Sequence, residues 1–446
     1  MPPYEPIGQS IKGGIDLNDP KPFVRLEPGS TVIGLAASGG GSRAAYLAAA
    51  ILREMRASSA RVETGAAAKP RSLLDQIDAV SAVSGGALTA AYFVAYGEQL
   101  RSADAESGAW RSFLDKMALS YRLRQWYGLA LTDPRVWAKY FFSNYHRGML
   151  ARDDYDATLF SGATLADLPS RPALYLNSFD VANHVRFIFS RHYINTAFYQ
   201  PKGHQNMLAL ADNSGLVTLM TQLRAALDES DGQHKVLVIA IDATLDRLNT
   251  NGSRFQRRGD EERYAYENTV VGHGVESIES GVALMQDLCT KFLEGTGVET
   301  DQTNMNWQNS LTKRTGACGP ASKTSWQNMF EDGRLAARPL IIRLGLRDAM
   351  DPDFERQYGG NLAATAPRFE ALMRENGITE GTWQGLRKSL EASLARIDTD
   401  FVLTEKSRRA LDLAAYLLVN GKLAGDITAW NAAVRDAKPV TGVTCP

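Results

Sequence analysis

One serine, Ser84, stands in this sequence where a nucleophile would be placed. It follows a short apolar run at residues 76–82 and precedes a run of small and apolar residues at 87–95. The first run predicts a buried strand and the second a buried helix, with Val83-Ser84-Gly85-Gly86 as a sharp turn between them. A serine on such a strand–turn–helix corner exposes its hydroxyl, and the helix N-terminus favours developing negative charge. The pattern is typical of acyl transfer by a nucleophilic serine.

A glycine-rich turn lies upstream of Ser84. Residues 31–37 predict a strand, and Ser38-Gly39-Gly40-Gly41-Ser42-Arg43 leads from it into an alanine-rich helix. Consecutive glycines can hold backbone N–H groups where they bind an anion. The spacings G-x-x-x-x-G-K and G-x-G-x-x-G of nucleotide-binding loops are missing, so an oxyanion site fits better than a phosphate site. The candidate oxyanion donors are the N–H groups of Gly39, Gly40, Gly41 and Gly85.

Together, the two turns resemble those of the patatin-like phospholipase family, including its cytosolic phospholipase A2 type. The resemblance rests on Gly39-Gly40-Gly41-Ser42-Arg43 as the oxyanion loop and on Val83-Ser84-Gly85-Gly86 as the nucleophile elbow. Ala82 stands where the elbow pattern G-x-S-x-G has its first glycine. The resemblance covers most of residues 31–245 and returns at 338–420.

The resemblance implies an α/β, three-layer fold with a mainly parallel central sheet. It implies hydrolysis of lipid esters, phospholipids above all, through an acyl-enzyme on Ser84. It also implies that Arg43 meets a phosphate or carboxylate of the substrate, a role that suits a guanidinium; a salt bridge to a nearby acid is the structural alternative. This chemistry needs no metal and no cofactor. The alternatives are a broad lysophospholipase or esterase, and an inactive patatin fold that binds lipid or a partner.

The base that would take the proton from Ser84 is left open by the sequence. The resemblance implies an aspartate, without histidine, that opens an Asp-Gly-Gly or Asp-Gly-Ala turn, and the expected region has no such triplet. Asp212-Asn213-Ser214-Gly215 stands there instead, and in one register Asp212 is the base. In a second register the dyad position falls on Met207, the base is missing, and Asp212 caps the helix predicted from Leu216.

Other titratable residues fit a catalytic role less well. Asp180 and Asp242 lie at predicted strand ends and are interpreted as structural. None of the six histidines fits a Ser-His-Asp order, and neither they nor the three cysteines have metal-ligand spacing. In an oxidising compartment Cys318 and Cys445 could pair.

Composition excludes some classes of function. With 446 residues, 44% hydrophobic and 22% charged, the chain is typical of a soluble globular protein. A net charge of −1 gives no electrostatic support for nucleic-acid binding. No apolar run approaches the roughly 18 residues of a spanning helix. The N-terminus lacks the layout of a signal peptide, which predicts a cytoplasmic or peripheral membrane protein, or one whose export segment has been removed.

The elements that must position the site alternate between strand and helix, which indicates an α/β class. Beyond the two turns we predict a hairpin from 173–179 and 184–189, a helix at 216–227 and a strand at 235–242. We also predict a late strand at 338–344 and helices at 364–375, 380–396 and 405–420. The proposed organisation is an irregular leader (1–30), a catalytic core (31–245), an insertion with a long helix and polar loop (246–337), and a C-terminal helical addition (338–446) completing the same domain.

Aromatic residues crowd the part of the core between 106 and 170. This segment predicts a helical subdomain. Its aromatic side chains either pack onto the sheet or form an apolar lid or acyl-chain wall beside the site.

Overall fold

The computed structural model describes Leu26 and residues 30–62, 72–121, 124–125, 133–143, 145, 147–180, 185–191, 207–208, 215–228, 230, 233–243, 340–363, 366–378, 382–394, 397 and 403–436. The leader and the predicted insertion lie almost wholly outside these ranges. So do Asp212, the three cysteines and the predicted long helix of the insertion, and these predictions remain predictions.

A mostly parallel sheet forms the centre of the described chain. Its strands are β1 Thr31–Ala37, β2 Ile77–Val83, β3 Ala173–Asp180, β4 Val185–Phe189, β5 Met207–Leu208, β6 Lys235–Asp242 and β7 Leu340–Gly345. The spatial order is β4-β3-β2-β1-β6-β7, and the short β5 pairs with β3. Pairs from β3 through β2, β1 and β6 to β7 are parallel, whereas β4 and β5 run antiparallel to β3. The α/β class and the mainly parallel sheet are therefore confirmed.

Helices account for most of the remaining described residues. In chain order they are α1 Gly41–Ala57, α2 Ser84–Ala95, α3 Gly97–Ser102, α4 Gly108–Met117, α5 Pro134–Phe142, α6 Arg147–Tyr155, α7 Leu216–Asp228, α8 Phe354–Ala363, α9 Ala366–Glu375, α10 Trp383–Leu394, α11 Glu405–Tyr416 and α12 Ala424–Asp436. A π-helical segment, Leu417–Leu423, joins α11 to α12, so the last helix continues well beyond the predicted end at 420.

The sheet is buried on both faces because its strands alternate between two apolar clusters. On β1, Ile33 and Leu35 face the cluster that contains α1, α2, α4 and the C-terminal helices. Val32 and Ala36 face the other cluster, which is built on α7. Continuous apolar strands are expected where a parallel sheet is covered on both sides, and this is why β1 and β6 could be predicted from their composition.

Helix α1 is buried along most of its length and is tied to the C-terminal helices by ionic contacts. Arg53 contacts its neighbour Glu54 at 2.9 Å and Asp412 of α11 at 3.1 Å. Arg368 of α9 also reaches Glu54, at 3.0 Å. The hydroxyl of Tyr46 donates to Asp412 at 3.1 Å. The helix that carries the glycine loop at its start is therefore braced by residues more than 300 positions away in the chain.

The aromatic segment contains two helices, α4 and α5, whose aromatic side chains differ in burial. Trp110 and Phe113 on α4 are fully buried, and Phe113 stacks on Tyr92 of α2 with ring centroids 4.8 Å apart. This half packs into the core, as one of the two interpretations predicts. The aromatic residues of α5 are exposed instead.

Candidate active site

Ser84 occupies the corner between β2 and α2. Its backbone has φ +51°, a left-handed conformation that is unusual for a residue with a side chain, and the residue is exposed although its neighbours Val83 and Gly85 are buried. Strained residues of this kind cluster at functional sites, where surrounding structure maintains them. The predicted turn is therefore present, and α2 begins at Ser84 itself rather than after the turn.

The glycine loop follows β1 and turns sharply into α1. Gly40 has φ +138° and Gly41 has φ +62°, conformations that residues with side chains rarely adopt. Ser38 fastens the start of the loop to the neighbouring strand. Its N–H donates to the carbonyl of Ile241 at 3.0 Å, and its Oγ accepts the N–H of Ala243 at 3.0 Å.

The two turns lie against each other, backbone to backbone. A Cβ placed on Gly85 would stand 2.0 Å from the carbonyl oxygen of Gly41, and one on Gly86 would stand 2.5 Å from that of Ser38. Both distances are far shorter than real carbon–oxygen contacts, so only glycine fits at either position. The structure thus brings the predicted elbow and the predicted oxyanion loop together at the carboxyl edge of the sheet.

This edge is suited to negative charge. The N–H groups of a helix's first turn have no acceptor within the helix, and they give its N-terminus a partial positive charge. Helices α1 and α2 both begin here, at Gly41 and Ser84, and neither has an acidic residue in its first turn. Carbonyl polarisation and an oxyanion would both be stabilised in such a field.

Arg43 lies on the first turn of α1 but is buried rather than directed to solvent. Its Nη1 donates to the backbone carbonyl of Ile397 at 3.0 Å. Its Nη2 lies 3.9 Å from the point where a Cβ on Gly40 would stand. The guanidinium therefore contributes positive charge beside the glycine loop while it also holds the chain before α11.

A buried set of polar side chains lies behind the elbow. The amide of Asn177 on β3 donates to the Oγ of Ser81 at 2.9 Å and to the carbonyl of Ala82 at 3.2 Å. The hydroxyl of Thr218 on α7 donates to the Oδ1 of Asn177. These contacts link β2, β3 and α7 just behind the turn that carries Ser84. These residues were not predicted from the sequence. The signal that could have found them is a polar residue within each otherwise apolar run.

The start of α7 approaches the elbow strand closely. Gly215 has φ +69°, and a Cβ on it would stand 2.8 Å from the carbonyl of Ser81. Its own carbonyl accepts the N–H of Leu219 at 3.1 Å, so Gly215 holds the N-cap position of this helix. Asp212 lies three residues earlier, outside the described residues. Met207, the position of the alternative register, is in β5 and pairs with Asp180.

Two further titratable residues are accounted for by structure. Asp242, at the end of β6, forms an ion pair with Arg343 of β7 at 2.7 Å, in keeping with the structural role predicted for it. His234, the one histidine among the described residues, precedes β6 and so lies at the opposite edge of the sheet from Ser84. Its two ring nitrogens form hydrogen bonds with the hydroxyls of Ser30 and Ser230, and burial lowers the pKa of its imidazole.

In the described part of the chain, no three His, Cys, Asp or Glu side chains lie close enough together to hold a metal ion. In the same residues no helix is both long and apolar enough to cross a bilayer.

Fold and site define a mixed α/β protein with a strained serine and a glycine loop at one edge of its sheet. No family model matches the sequence, and no curated protein matches it. Among solved structures, the chain is similar to human GIVD cytosolic phospholipase A2 in complex with methyl gamma-linolenyl fluorophosphonate inhibitor and terbium chloride, with 12% identity and a TM-score of 0.39. The match covers 91% of this chain but 59% of that one. At these values the likeness is distant, and the function proposed below rests on the site.

Proposed function

We propose that this chain is a lipid acyl hydrolase of the phospholipase A type. Ser84 is the nucleophile, the N–H groups of Gly39–Gly41 and Gly85 are the oxyanion donors, and Asp212 is the base. The observation that carries the proposal is the exposed, left-handed Ser84, whose turn packs against the glycine loop through Gly85. A serine that only shaped a strand–helix corner would have no need of a strained backbone, because glycine would serve there.

The reaction begins when the Ser84 hydroxyl attacks the carbonyl carbon of a lipid ester and its proton passes to the Asp212 carboxylate. The carbonyl oxygen becomes an oxyanion, which accepts hydrogen bonds from the backbone N–H groups at the starts of α1 and α2. Collapse of this intermediate expels the alcohol, which takes the proton back from Asp212. Water then attacks the acyl-enzyme by the same steps and releases the fatty acid.

Gly215, the described residue that follows Asp212 most closely in the chain, supports the role of Asp212 as base. Gly215 lies against Ser81, three residues before the nucleophile, so the chain that leaves Asp212 arrives directly behind the elbow. The N-cap of α7 is Gly215, so Asp212 is not needed for that position. Carboxylates that act as bases must come within roughly 2.6–3.2 Å of the hydroxyl they deprotonate.

We propose that the buried guanidinium of Arg43 attracts the negative charge of the substrate. Its guanidinium lies beside Gly40, where it would add to the attraction of the two helix N-termini for a phosphate or an oxyanion. The proposed substrates are phospholipids or other lipid esters met at a membrane surface.

Covalent labelling and hydrolysis test the proposal together. A fluorophosphonate probe should modify the wild-type protein at Ser84 and leave Ser84→Ala unmodified, as read by peptide mapping. Micellar phospholipid should be hydrolysed by the wild type, with release of fatty acid. Labelling elsewhere would overturn the assignment of Ser84. Labelling without phospholipid hydrolysis, but with turnover of short esters, would indicate the broad esterase instead.

The base is tested by Asp212→Asn, which keeps the shape of the side chain and removes its basicity. We expect hydrolysis to fall by at least about 100-fold, in the range for loss of a general base, with an unchanged free energy of unfolding. Asp242→Asn is the matched control. It breaks the ion pair with Arg343 and should lower stability while activity remains. Full activity of Asp212→Asn would contradict the proposed base and indicate that another group takes the proton from Ser84.

A further inference from the structure

Helix α5 exposes an apolar surface that sets it apart from the other described helices. Among the described residues, the large hydrophobic side chains that are exposed all lie on this helix: Trp137 at 44%, Tyr140 at 38%, Phe141 at 70% and Phe142 at 89%. The aromatic residues of α4 are buried, so exposure is a property of α5 and not of aromatic residues in this segment generally. Exposed apolar surface concentrated in this way marks an interaction site.

The helix is well formed even though it contributes little to the core. Asp133 caps it by accepting the N–H of Arg135 at 2.8 Å, and Pro134 fills the first turn, where proline is favoured. Val136 is the buried residue of this helix. Trp137 and Phe141, one turn apart, stack with centroids 5.6 Å apart and make one continuous apolar ridge.

Two side chains of α5, Tyr140 and Lys139, contact neighbouring residues. Tyr140 meets the ring of Tyr145 edge-on at 5.4 Å. The Lys139 ammonium lies 4.9 Å from the Tyr145 ring and 3.5 Å from the carboxylate of Asp153 on α6. These contacts hold α5 against Tyr145 and α6, whereas Phe141 and Phe142 are exposed.

The chemistry of this surface fits the interface of a lipid bilayer. Tryptophan, tyrosine and phenylalanine with basic neighbours are the composition of helices that lie in the membrane interface. Within α5 the charged residues are Arg135 and Lys139, both basic and both exposed, and the helix contains no acidic residue. Lys139 is paired with Asp153, so Arg135 is the exposed basic residue of α5 that would complement anionic lipid headgroups.

We propose that α5 is the segment by which this protein docks on lipid, inserting Trp137, Phe141 and Phe142 into the interface of an anionic bilayer. The proposal deepens the proposed function, since it names the surface that meets the aggregated substrate. It does not depend on catalysis, because the residues involved are separate from Ser84 and the glycine loop.

Vesicle binding is the first test. Sedimentation with large vesicles of ether-linked phosphatidylcholine and phosphatidylserine, which have no ester to cleave, should retain the wild type and Ser84→Ala equally. The double variant Phe141→Ser/Phe142→Ser should bind at least about 10-fold more weakly, because each phenylalanine loses apolar burial in the bilayer. Ala138→Ser, an exposed change on the same helix, should bind like the wild type. Equal binding by the double variant would overturn the proposal.

The anionic character of the surface is tested by lipid composition and by salt. Omitting phosphatidylserine, or raising the ionic strength, should weaken wild-type binding several-fold, and Arg135→Gln should reduce that sensitivity. Quenching by brominated lipid should fall in Trp137→Phe relative to the wild type, which shows whether this ring enters the bilayer. No quenching difference would contradict insertion.

Two controls distinguish insertion into a bilayer from misfolding of the variant and from self-association of the protein. Thermal unfolding of the double variant should match the wild type, because both phenylalanines are exposed and support no core. If the wild type instead self-associates in sedimentation velocity, the double variant is monomeric and neither binds vesicles, the surface is a contact between copies and the bilayer proposal is wrong. Vesicle binding without any phospholipid hydrolysis would leave docking intact and refute the proposed function.

Discussion

The backbone carbonyl of Gly41 occupies the space that a side chain on Gly85 would need, at 2.0 Å from the position of its Cβ. One glycine belongs to the loop after β1 and the other to the first turn of α2. The two sequence motifs are therefore one structural unit, in which the elbow cannot be altered without moving the loop that is proposed to hold the oxyanion.

Gly85→Ala should disrupt that unit. The added methyl group collides with backbone, which cannot rotate away, so the free energy of unfolding should fall by about 1–3 kcal/mol and labelling of Ser84 should be lost. Gly360→Ala is the matched control, because nothing lies within 4 Å of its Cβ position. In the interior of α8 it should stabilise the protein by roughly 0.5–1 kcal/mol. Chemical denaturation measures both, and an unperturbed Gly85→Ala would contradict the close approach.

Strain at Ser84 can be measured directly. Replacement by glycine removes the cost of φ +51°, so Ser84→Gly should raise the free energy of unfolding by about 1 kcal/mol while it abolishes labelling by the probe. Ser161 has the same φ of +51° at the surface, far from the proposed site in sequence. Ser161→Gly should give a similar gain in stability with labelling intact. A loss of stability in Ser84→Gly would show that the residue is not strained.

The hydrogen bonds behind the elbow should matter to stability and to the nucleophile. Thr218→Val keeps the shape of the side chain but leaves the Oδ1 of Asn177 without this donor, which should cost about 1–3 kcal/mol of unfolding free energy. Because Asn177 holds Ser81 and Ala82, the rate of Ser84 labelling should also fall. Thr218→Ser restores the donor and should recover the labelling rate. Equal rates in all three proteins would limit this network to a purely structural role.

The contact between α1 and α11 predicts a pH dependence of stability. Burial is the main cause that raises the pKa of Asp412 to about 6, against the lowering effects of Arg53, Tyr46 and Arg368; Glu54 raises it further. The folded state thus holds the proton more tightly than the unfolded state does. The stabilising effect is full below about pH 4 and is lost as the pH rises through about 6.

The asparagine of Asp412→Asn does not bind this proton, so the variant lacks this pH dependence of stability. The unfolding free energy of the variant relative to the wild type should therefore increase between pH 4.5 and pH 7.5, by about 2 kcal/mol, as urea titrations at each pH would show. A constant difference between Asp412→Asn and the wild type would contradict the raised pKa.

Much of the fold follows from the order of residues alone. The strands at 31–37 and 235–242 are continuous apolar runs, which are typical of a sheet that is buried on both faces, and the short apolar run before Ser84 predicted the strand at 77–83. The hairpin of β3 and β4 and the helix from Leu216 were likewise predictable from local pattern. Helix α8 was missed because it contains Gly359 and Gly360. It is held instead by tertiary contacts, including the stacking of Phe354 on Trp383 at 5.5 Å.

At the site, the sequence by itself determined which residues could do chemistry: a serine at a small-residue corner and three glycines before a helix. Only the tertiary structure decided that the two turns touch, that Ser84 is strained and exposed, and that Arg43 is buried against the carbonyl of Ile397. The physical reason is that propensity and periodicity act over a few residues. The contact of Gly85 with Gly41 and the bracing of α1 by Asp412 arise from packing between segments that are distant in the chain.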